Sequence, residues 1–80
     1  MSIKLVFLGK LADLAGALEK DVAGPLDWNG LIAALPGPLD EIALGNKVKL
    51  ALNGTVLADK TALAASDGDE VALLPPVSGG

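Results

Sequence analysis

The sequence predicts a single α+β domain, and three of its features lead to this fold class. Apolar residues alternate with other residues near the start, over SIKLVFLG. Two stretches in the first half carry apolar residues at helical spacing, and the second half alternates again around an Asn-Gly pair. The predicted order is β-α-β-α-β-β-β, with most of the helix in the first half.

The first half begins with a strand in which Ile3, Leu5 and Phe7 share one face. The segment LADLAGAL has four apolar residues at helical spacing and a glycine that shortens the predicted helix. The apolar residues are Leu11, Leu14, Ala15 and Leu18, and the glycine is Gly16. A second strand is predicted in LEKDVAG, which closes at a Gly-Pro pair.

A second helix is predicted after Asp27, which is a good N-cap residue. Its apolar stripe consists of Leu31, Ile32 and Leu35, which we assign to the core. The Pro-Gly-Pro stretch at residues 36–38 ends this helix. One or two further helical turns are expected in LDEIALGN, with Gly45 as a left-handed terminator.

The second half is predicted to consist of strands. In KVKLALN, Val48, Leu50 and Leu52 face one way, and the Asn53-Gly54 pair predicts a tight hairpin into TVLAD. The stretch KTALAASDGD is interpreted as a connection, and EVALLP as the final strand.

Composition excludes most catalytic chemistry. The 80 residues contain no Cys and no His, which excludes thiol nucleophiles, imidazole bases and His-based metal sites. All six basic residues are lysines, so no arginine fork is present to clamp a phosphate. The net charge of −4 opposes binding to nucleic acid and favours a basic partner. We therefore expect no enzyme activity from the chain on its own.

The sequence shows no secretory or membrane segment. The apolar run near the start covers only the four residues from Leu5 to Leu8. A signal peptide needs about 7–15 apolar residues and a membrane span about 20. The absence of Cys is compatible with a reducing compartment. We expect a cytoplasmic protein that does not bind membranes.

The first and last strands suggest an exposed apolar patch. If these strands lie side by side and parallel, their carboxyl ends meet at one edge of the sheet. Their outward residues then change from charged to apolar in the same direction: Lys4, Val6 and Leu8 on the first strand, Glu70, Ala72 and Leu74 on the last. Exposed apolar patches mark partner sites, and this one would lie beside the departing tail.

The segment LLPPVSGG ends in two glycines, which by themselves have ordinary explanations such as chance or a frayed end. Pro75-Pro76 favours a stiff, extended exit from the last strand. Gly79 and Gly80 lack side chains and fit a channel too narrow for other residues. The group presented is a terminal carboxylate, which is ionised and unreactive until activated. The pattern suggests acyl activation by a partner.

Three stretches carry a resemblance to a known family: residues 53–57, DGDEVA at 67–72 and PPVSGG at 75–80. The first strand and LADLAG also fit, so the resemblance covers nearly the full length and is weakest between residues 25 and 46. The chain resembles the small subunits of molybdopterin synthase. This implies a ubiquitin-like β-grasp fold, with a mixed sheet and helices packed on one face. The domain is expected at residues 1–75, and an extended, flexible Gly-Gly tail at residues 76–80.

The resemblance also implies a sulfur-carrier role in molybdenum cofactor biosynthesis. Gly80 is then adenylated by an activating enzyme that uses ATP and Mg, and a sulfur donor converts it to a thiocarboxylate. Gly79 is the slender approach to this group. The sulfur passes to a cyclic pyranopterin on the large synthase subunit, which holds the catalytic side chains in a heterotetramer. The carrier itself is expected to bind no cofactor and no metal.

The docking surface that the resemblance implies includes two residues that strand alternation already places beside the tail. Its residues are Leu8, Val56 and Leu74, with Pro75, Pro76, Val77 and Ser78 in the tail. The family often has an arginine in the turn after the first strand, where this chain has Ala12. A polar partner contact at that turn is therefore not implied.

Other interpretations stay open at this point. The same chemistry can serve thiamine or tRNA thiolation, or a ubiquitin-like modifier, and a purely structural binding module needs no Gly-Gly end. Asp67, Asp69 and Glu70 lack the remaining ligands of a calcium loop and fit a common turn better. Lys60 is interpreted as a solvated charge and Trp28 as a packing residue.

Overall fold

The structure is a computed structural model that describes residues 2–75. The strands are β1 (Ile3–Phe7), β2 (Glu19–Val22), β3 (Leu26–Asp27), β4 (Lys49–Leu52), β5 (Thr55–Val56), β6 (Ala64–Ala65) and β7 (Glu70–Leu74). The helices are α1 (Lys10–Ala15), α2 (Trp28–Ala34) and α3 (Leu39–Leu44), with a 3-10 helix at Lys60–Ala62. The predicted tail, Pro76, Val77, Ser78, Gly79 and Gly80, lies outside the described residues.

The main sheet is mixed and has the strand order β2-β1-β7-β4-β5. The strands β1 and β7 are parallel, with Leu5 opposite Val71, and the other pairs are antiparallel. The parallel pairing of the first and last strands, on which the predicted apolar patch depends, is therefore present. Because both strands run the same way, β1 and β7 end at the same edge of the sheet.

All three α-helices contribute to a core on one face of this sheet. The inward residues of β1 are completely or almost completely buried, as the alternation predicted. The buried residues of the core are Ile3, Leu5, Phe7, Leu11, Leu26, Leu31, Leu35, Leu39, Ala43, Val48, Leu50, Leu63, Ala65, Val71 and Leu73. The core is aliphatic apart from Phe7, and the mixed sheet with helices on one face is confirmed. Within residues 2–75, no helix has the length and apolar character needed to cross a membrane.

A second, two-stranded sheet was not predicted. It pairs Leu26 with Ala65 and Asp27 with Ala64 in antiparallel register. Strands of two residues are too short to show any alternation, and one of them lies in the segment interpreted as a connection. This small sheet links the start of α2 to the segment before β7.

The helix α1 is shorter than its apolar spacing indicates. Gly16 takes a left-handed conformation, with φ 74° and ψ 14°, and its N–H donates to the carbonyl of Ala12. Leu11 is buried, whereas Leu14 and Leu18 are exposed. The four-residue stripe is thus wrong at these two leucines: Leu18 lies beyond the end of the helix, and Leu14 lies within it on an exposed face.

The helix α2 starts as predicted, with the Asp27 carboxylate accepting from the Gly30 N–H at 2.8 Å. The predicted left-handed Gly45 is wrong, since this residue is extended at φ −71° and ψ 160°. The carbonyls at the end of α3 are instead bound by Lys60 Nζ, which contacts Ala43 O at 2.7 Å and also Gly45 O. A lysine distant in sequence therefore replaces the local glycine cap.

Candidate functional site

The face of the main sheet opposite the helices carries an apolar row across four strands. Val6 of β1 is opposite Ala72 of β7, which is opposite Ala51 of β4, which is opposite Val56 of β5. Directly opposite residues in neighbouring strands share one face of the sheet. We call these four residues the outer row. It spans the sheet from β1 to β5, on the face opposite the core that the described helices cover.

The three predicted docking residues occupy different parts of this face. Extending the β1–β7 register by one residue places Leu8 beside Leu74, and the Leu8 N–H donates to Leu73 O at 3.4 Å. Leu74 is half-buried, whereas Leu8 is 40% exposed and Val56 is 55% exposed. Val56 lies two strands away from Leu74 and reaches it only through the outer row.

The alanines of the outer row were missed as site residues. Ala72 was placed on the outward face, but Ala51 and Ala72 are too small to stand out in a search for apolar anchors. Only the pairing of β4 with β7 shows that they join Val56 to the leucines. Neighbouring rows of the same face carry Lys4 opposite Glu70, and Lys49 opposite Leu74. Charged residues therefore border the apolar row on both sides.

Pro75 is the last residue described and is half-buried beside the carboxyl end of β1. A Cβ built on Gly9 would lie 3.2 Å from Pro75 Cγ. The chain therefore leaves the sheet at the edge where Leu8 and Leu74 lie. The predicted roles of residues 76–80 fall outside the described residues.

The acidic turn before β7 is a hydrogen-bonded clamp. Asn53 Nδ2 donates to Asp69 Oδ1 at 3.1 Å, and Asn53 Oδ1 accepts from the Glu70 N–H at 2.9 Å. Asp69 Oδ2 accepts from the Ser66 N–H at 2.9 Å. The Ser66 N–H and, second, the Asn53 amide hold the pKa of Asp69 below its ordinary value, because both stabilise the carboxylate. The turn thus ties the β4–β5 hairpin to the start of β7.

Asp67 has a separate structural role in the same turn. Its Oδ1 accepts from the Gly24 N–H at 2.8 Å and so links this turn to the segment after β2. Among residues 2–75, no three His, Cys, Asp or Glu side chains form a group that could hold a metal ion. The DGDEVA stretch therefore contributes turn geometry and hydrogen bonds to the described part of the chain.

Lys60 is not the solvated charge that we predicted. Its Nζ donates to the carbonyls of Ala43, Gly45 and Val48, the last at 2.9 Å, which uses all three N–H groups of an ammonium. It also lies 5.6 Å from the centroid of the Trp28 ring. Burial and, second, the charge of Lys49 lower the pKa of Lys60. Trp28 is partly buried against the core, in agreement with its predicted packing role.

This arrangement of strands, with a parallel pair inside a mixed sheet and helices on one face, is the β-grasp of ubiquitin-like proteins. The fold that the resemblance implied is therefore confirmed. The chain belongs to the ThiS family, whose sequence model matches residues 5–80.

Comparison with individual proteins agrees with this assignment. A molybdopterin synthase sulfur carrier subunit from Chlamydomonas reinhardtii is 34% identical over 85 residues, covering all of both chains. The crystal structure of SAMP1 from Haloferax volcanii has a TM-score of 0.68 and 29% identity, with all of both chains covered. A chain in the complex of subunits 1 and 2 of the molybdopterin-converting factor from Helicobacter pylori has a TM-score of 0.67 and 25% identity, also over all of both chains. The predicted resemblance to molybdopterin synthase small subunits is confirmed by these similarities.

Proposed function

We propose that this chain is a sulfur carrier for molybdopterin synthesis. The main support is the similarity to the molybdopterin synthase sulfur carrier subunit from Chlamydomonas reinhardtii, at 34% identity over the full length of both chains. The family model extends through residue 80, so the DGDEVA and PPVSGG stretches lie within the matched region. The β-grasp fold and the tail that leaves at the end of β7 are consistent with this role.

In the proposed reaction the reactive group is the carboxylate of Gly80. An activating enzyme adenylates it with ATP and Mg, releasing pyrophosphate. A sulfur donor then displaces AMP to form the thiocarboxylate, whose sulfur passes to the cyclic pyranopterin precursor. Gly79 keeps the approach narrow because it has no side chain. We place the catalytic side chains on the large subunit and the reaction in the cytoplasm.

The outer row, together with Leu8 and Leu74, is the proposed docking surface for the large subunit. These side chains lie on the sheet face opposite the helices, where Ala51 is buried at 6% exposure. Leu8 and Leu74 lie beside the residue where the tail starts, and Val56 lies at the far end of the outer row. The complex of subunits 1 and 2 from Helicobacter pylori supports a partner of this kind. We extend the surface to Pro75, Pro76, Val77 and Ser78, and we expect a heterotetramer of two small and two large subunits.

Intact-mass measurement tests the carrier chemistry. The chain is incubated with its activating enzyme, ATP, Mg and a sulfur donor, with a known family member treated in parallel. We expect a mass gain equal to the exchange of one oxygen for one sulfur, and no gain in a chain that lacks Gly80. An unchanged mass, while the control protein gains sulfur, would refute the proposal.

A pair of equally exposed apolar residues tests the docking surface. Val56 is 55% exposed on the outer face, and Leu44 is 56% exposed at the end of α3 on the helix side. V56E is expected to weaken binding to the large subunit about tenfold or more, since a buried unpaired charge costs several kcal/mol. L44E should bind as the unchanged chain does. Equal binding by both variants would contradict this surface.

Leu74 gives a second test, because it is half-buried in the isolated chain. L74E is expected to lower partner affinity more than it lowers the free energy of unfolding. Calorimetric titration and urea unfolding measure the two quantities on the same variant. If stability is the main loss, Leu74 belongs to the core and its assignment to the docking surface is wrong.

The likeness to SAMP1, the small archaeal modifier protein 1 of Haloferax volcanii, favours a second candidate function. In this alternative the activated Gly80 is joined to lysines of other proteins, or its sulfur serves thiamine or tRNA thiolation. Recovery of the chain in covalent conjugates, identified by peptide mass spectrometry, would favour the modifier. Sulfur transfer to the pyranopterin without conjugates would favour the carrier.

A further inference from the structure

The end of β1 and the base of the tail meet at one contact, between Gly9 and Pro75. The β1–β7 pairing continues past the last paired residues through the bond from the Leu8 N–H to Leu73 O, at 3.4 Å. Gly9 follows Leu8 after β1, and Pro75 follows Leu74 at the end of β7. A Cβ on Gly9 would lie 3.2 Å from Pro75 Cγ and 3.9 Å from Pro75 Cβ. The proline ring therefore lies against the bare Cα of Gly9.

The backbone of Gly9 also has a conformation that favours glycine. Its φ of 57° and ψ of −132° lie in the mirror image of the extended region. Residues with an L side chain are strained in that mirror-image region, whereas glycine is not. The other glycines with positive φ in residues 2–75 are Gly16, Gly54 and Gly68, and a Cβ on any of them would meet nothing within 4 Å. Among these four glycines, Gly9 has both a positive φ and a close neighbour. That neighbour is Pro75, the first residue after β7.

We infer that Gly9 is a positioning residue for the tail. Its missing side chain lets the Pro75 ring rest on the turn after β1, and this contact sets the direction in which the chain leaves the sheet. The ring is covalently closed on the backbone of Pro75, so a displaced ring moves the main chain with it. This inference rests on the proposed function, in which the residues after Pro75 deliver the reactive group.

The reach of the tail amplifies a small displacement at its base. When the partner holds them extended, the five residues beyond Pro75 span at most about 16 Å, so a tilt of about 10° at Pro75 displaces their end by up to about 3 Å. A misplacement of about 1 Å at a reacting centre is enough to lower a rate about a hundredfold. A side chain on Gly9 is therefore expected to slow sulfur transfer while it leaves the outer row, Leu8 and Leu74 in place.

The test compares G9A with G16A, which places an alanine at positive φ without a neighbour. Single-turnover sulfur transfer is measured with the thiocarboxylated chain at saturating large subunit, alongside the dissociation constant and the melting temperature. G9A is expected to lower the transfer rate about tenfold or more with little change in affinity, and G16A to leave the rate unchanged.

Two results would overturn the inference. These are an unchanged rate in G9A and an equal rate loss in G16A, since the latter would assign the loss to backbone strain at positive φ. Should G9A fail to fold, P75A tests the contact from its other side, and an unchanged transfer rate would count against the inference.

A measurement without sulfur chemistry separates this inference from the proposed function. Amide resonances of Val77 and Ser78 are compared in ¹⁵N-labelled G9A and G16A chains. We expect shifts in G9A and none in G16A, and unchanged resonances in G9A would refute the positioning role. If the unchanged chain accepts no sulfur while the G9A shifts are present, the proposed function fails and the positioning role stands.

Discussion

Replacing Asn53 with alanine tests whether the clamp at the acidic turn holds the β4–β5 hairpin to β7. N53A removes the donor to Asp69, at 3.1 Å, and the acceptor for the Glu70 N–H, at 2.9 Å. It also places alanine at a φ of 51°, a left-handed value that asparagine tolerates better. The lost hydrogen bonds act on the turn immediately before β7, whereas the backbone strain acts on the β4–β5 hairpin turn.

The expected loss follows from these contacts. Each hydrogen bond is exposed to solvent and contributes about 0.5–1 kcal/mol to the free energy of unfolding. The strained backbone of alanine adds about 1 kcal/mol. The total of about 2–3 kcal/mol corresponds to a fall in melting temperature of about 10–15 °C for a domain of this size.

Urea unfolding followed by circular dichroism measures this loss, with N53G and N53D as comparisons. N53G accepts the positive φ but lacks both hydrogen bonds, so it should lose about 1–2 kcal/mol. N53D keeps the acceptor for the Glu70 N–H but brings a second carboxylate to Asp69, and its loss should decrease in high salt. A change of less than about 0.5 kcal/mol in N53A would show that the clamp does not stabilise the fold.

Three further predictions concern stability, each read from urea unfolding. K60M should lower the free energy of unfolding by about 2–3 kcal/mol, because three backbone carbonyls lose their hydrogen-bond donor. K47M is the control: Lys47 is exposed, and its replacement should change the free energy of unfolding by less than about 0.5 kcal/mol. G24A should lower the free energy of unfolding by about 2 kcal/mol, because the new Cβ would lie 2.6 Å from Asp67 Oδ1. G37A is the control and should lower it less, because a Cβ on Gly37 would have no neighbour closer than 3.7 Å. The lowered pKa of Asp69 means that its contribution is present above the ordinary carboxyl pKa of 3.8 and is lost as the pH falls through the lower folded value. D69N should therefore flatten the acid limb of the stability curve, and an equally steep limb would contradict the assignment.

Much of the main sheet could be predicted because its strands show their faces in the sequence. Ile3, Leu5 and Phe7, which alternate in the sequence, are all completely or almost completely buried. The Asn53-Gly54 pair has positive φ at both residues of the hairpin turn, as this pair predicts. The parallel pairing of β1 and β7 was only a condition of the predicted apolar patch, and the register of the two strands shows it. The two-residue strands β3 and β6 could not be predicted, because two residues carry no periodicity.

The candidate site was predictable in part. Strand alternation brought Leu8 and Leu74 together, and the resemblance added Val56. Ala51 and Ala72, which connect them, have no signal as single residues and were joined only by the register of β4 with β7. The roles of residues 76–80 remain predictions.

The sequence by itself determined which catalytic groups are missing, which strand residues face inward and where the hairpin turns at Asn53-Gly54. It also contained the family signature in the DGDEVA and PPVSGG stretches. These are local properties, or properties of composition, and they need no partner elsewhere in the chain. Only the tertiary structure decided how α3 ends and where the tail begins. Lys60 binds the carbonyls at the end of α3 from across the fold, and Gly9 meets Pro75 because two distant strands lie parallel. Contacts between residues far apart in sequence have no local pattern, so they appear only when the chain is folded.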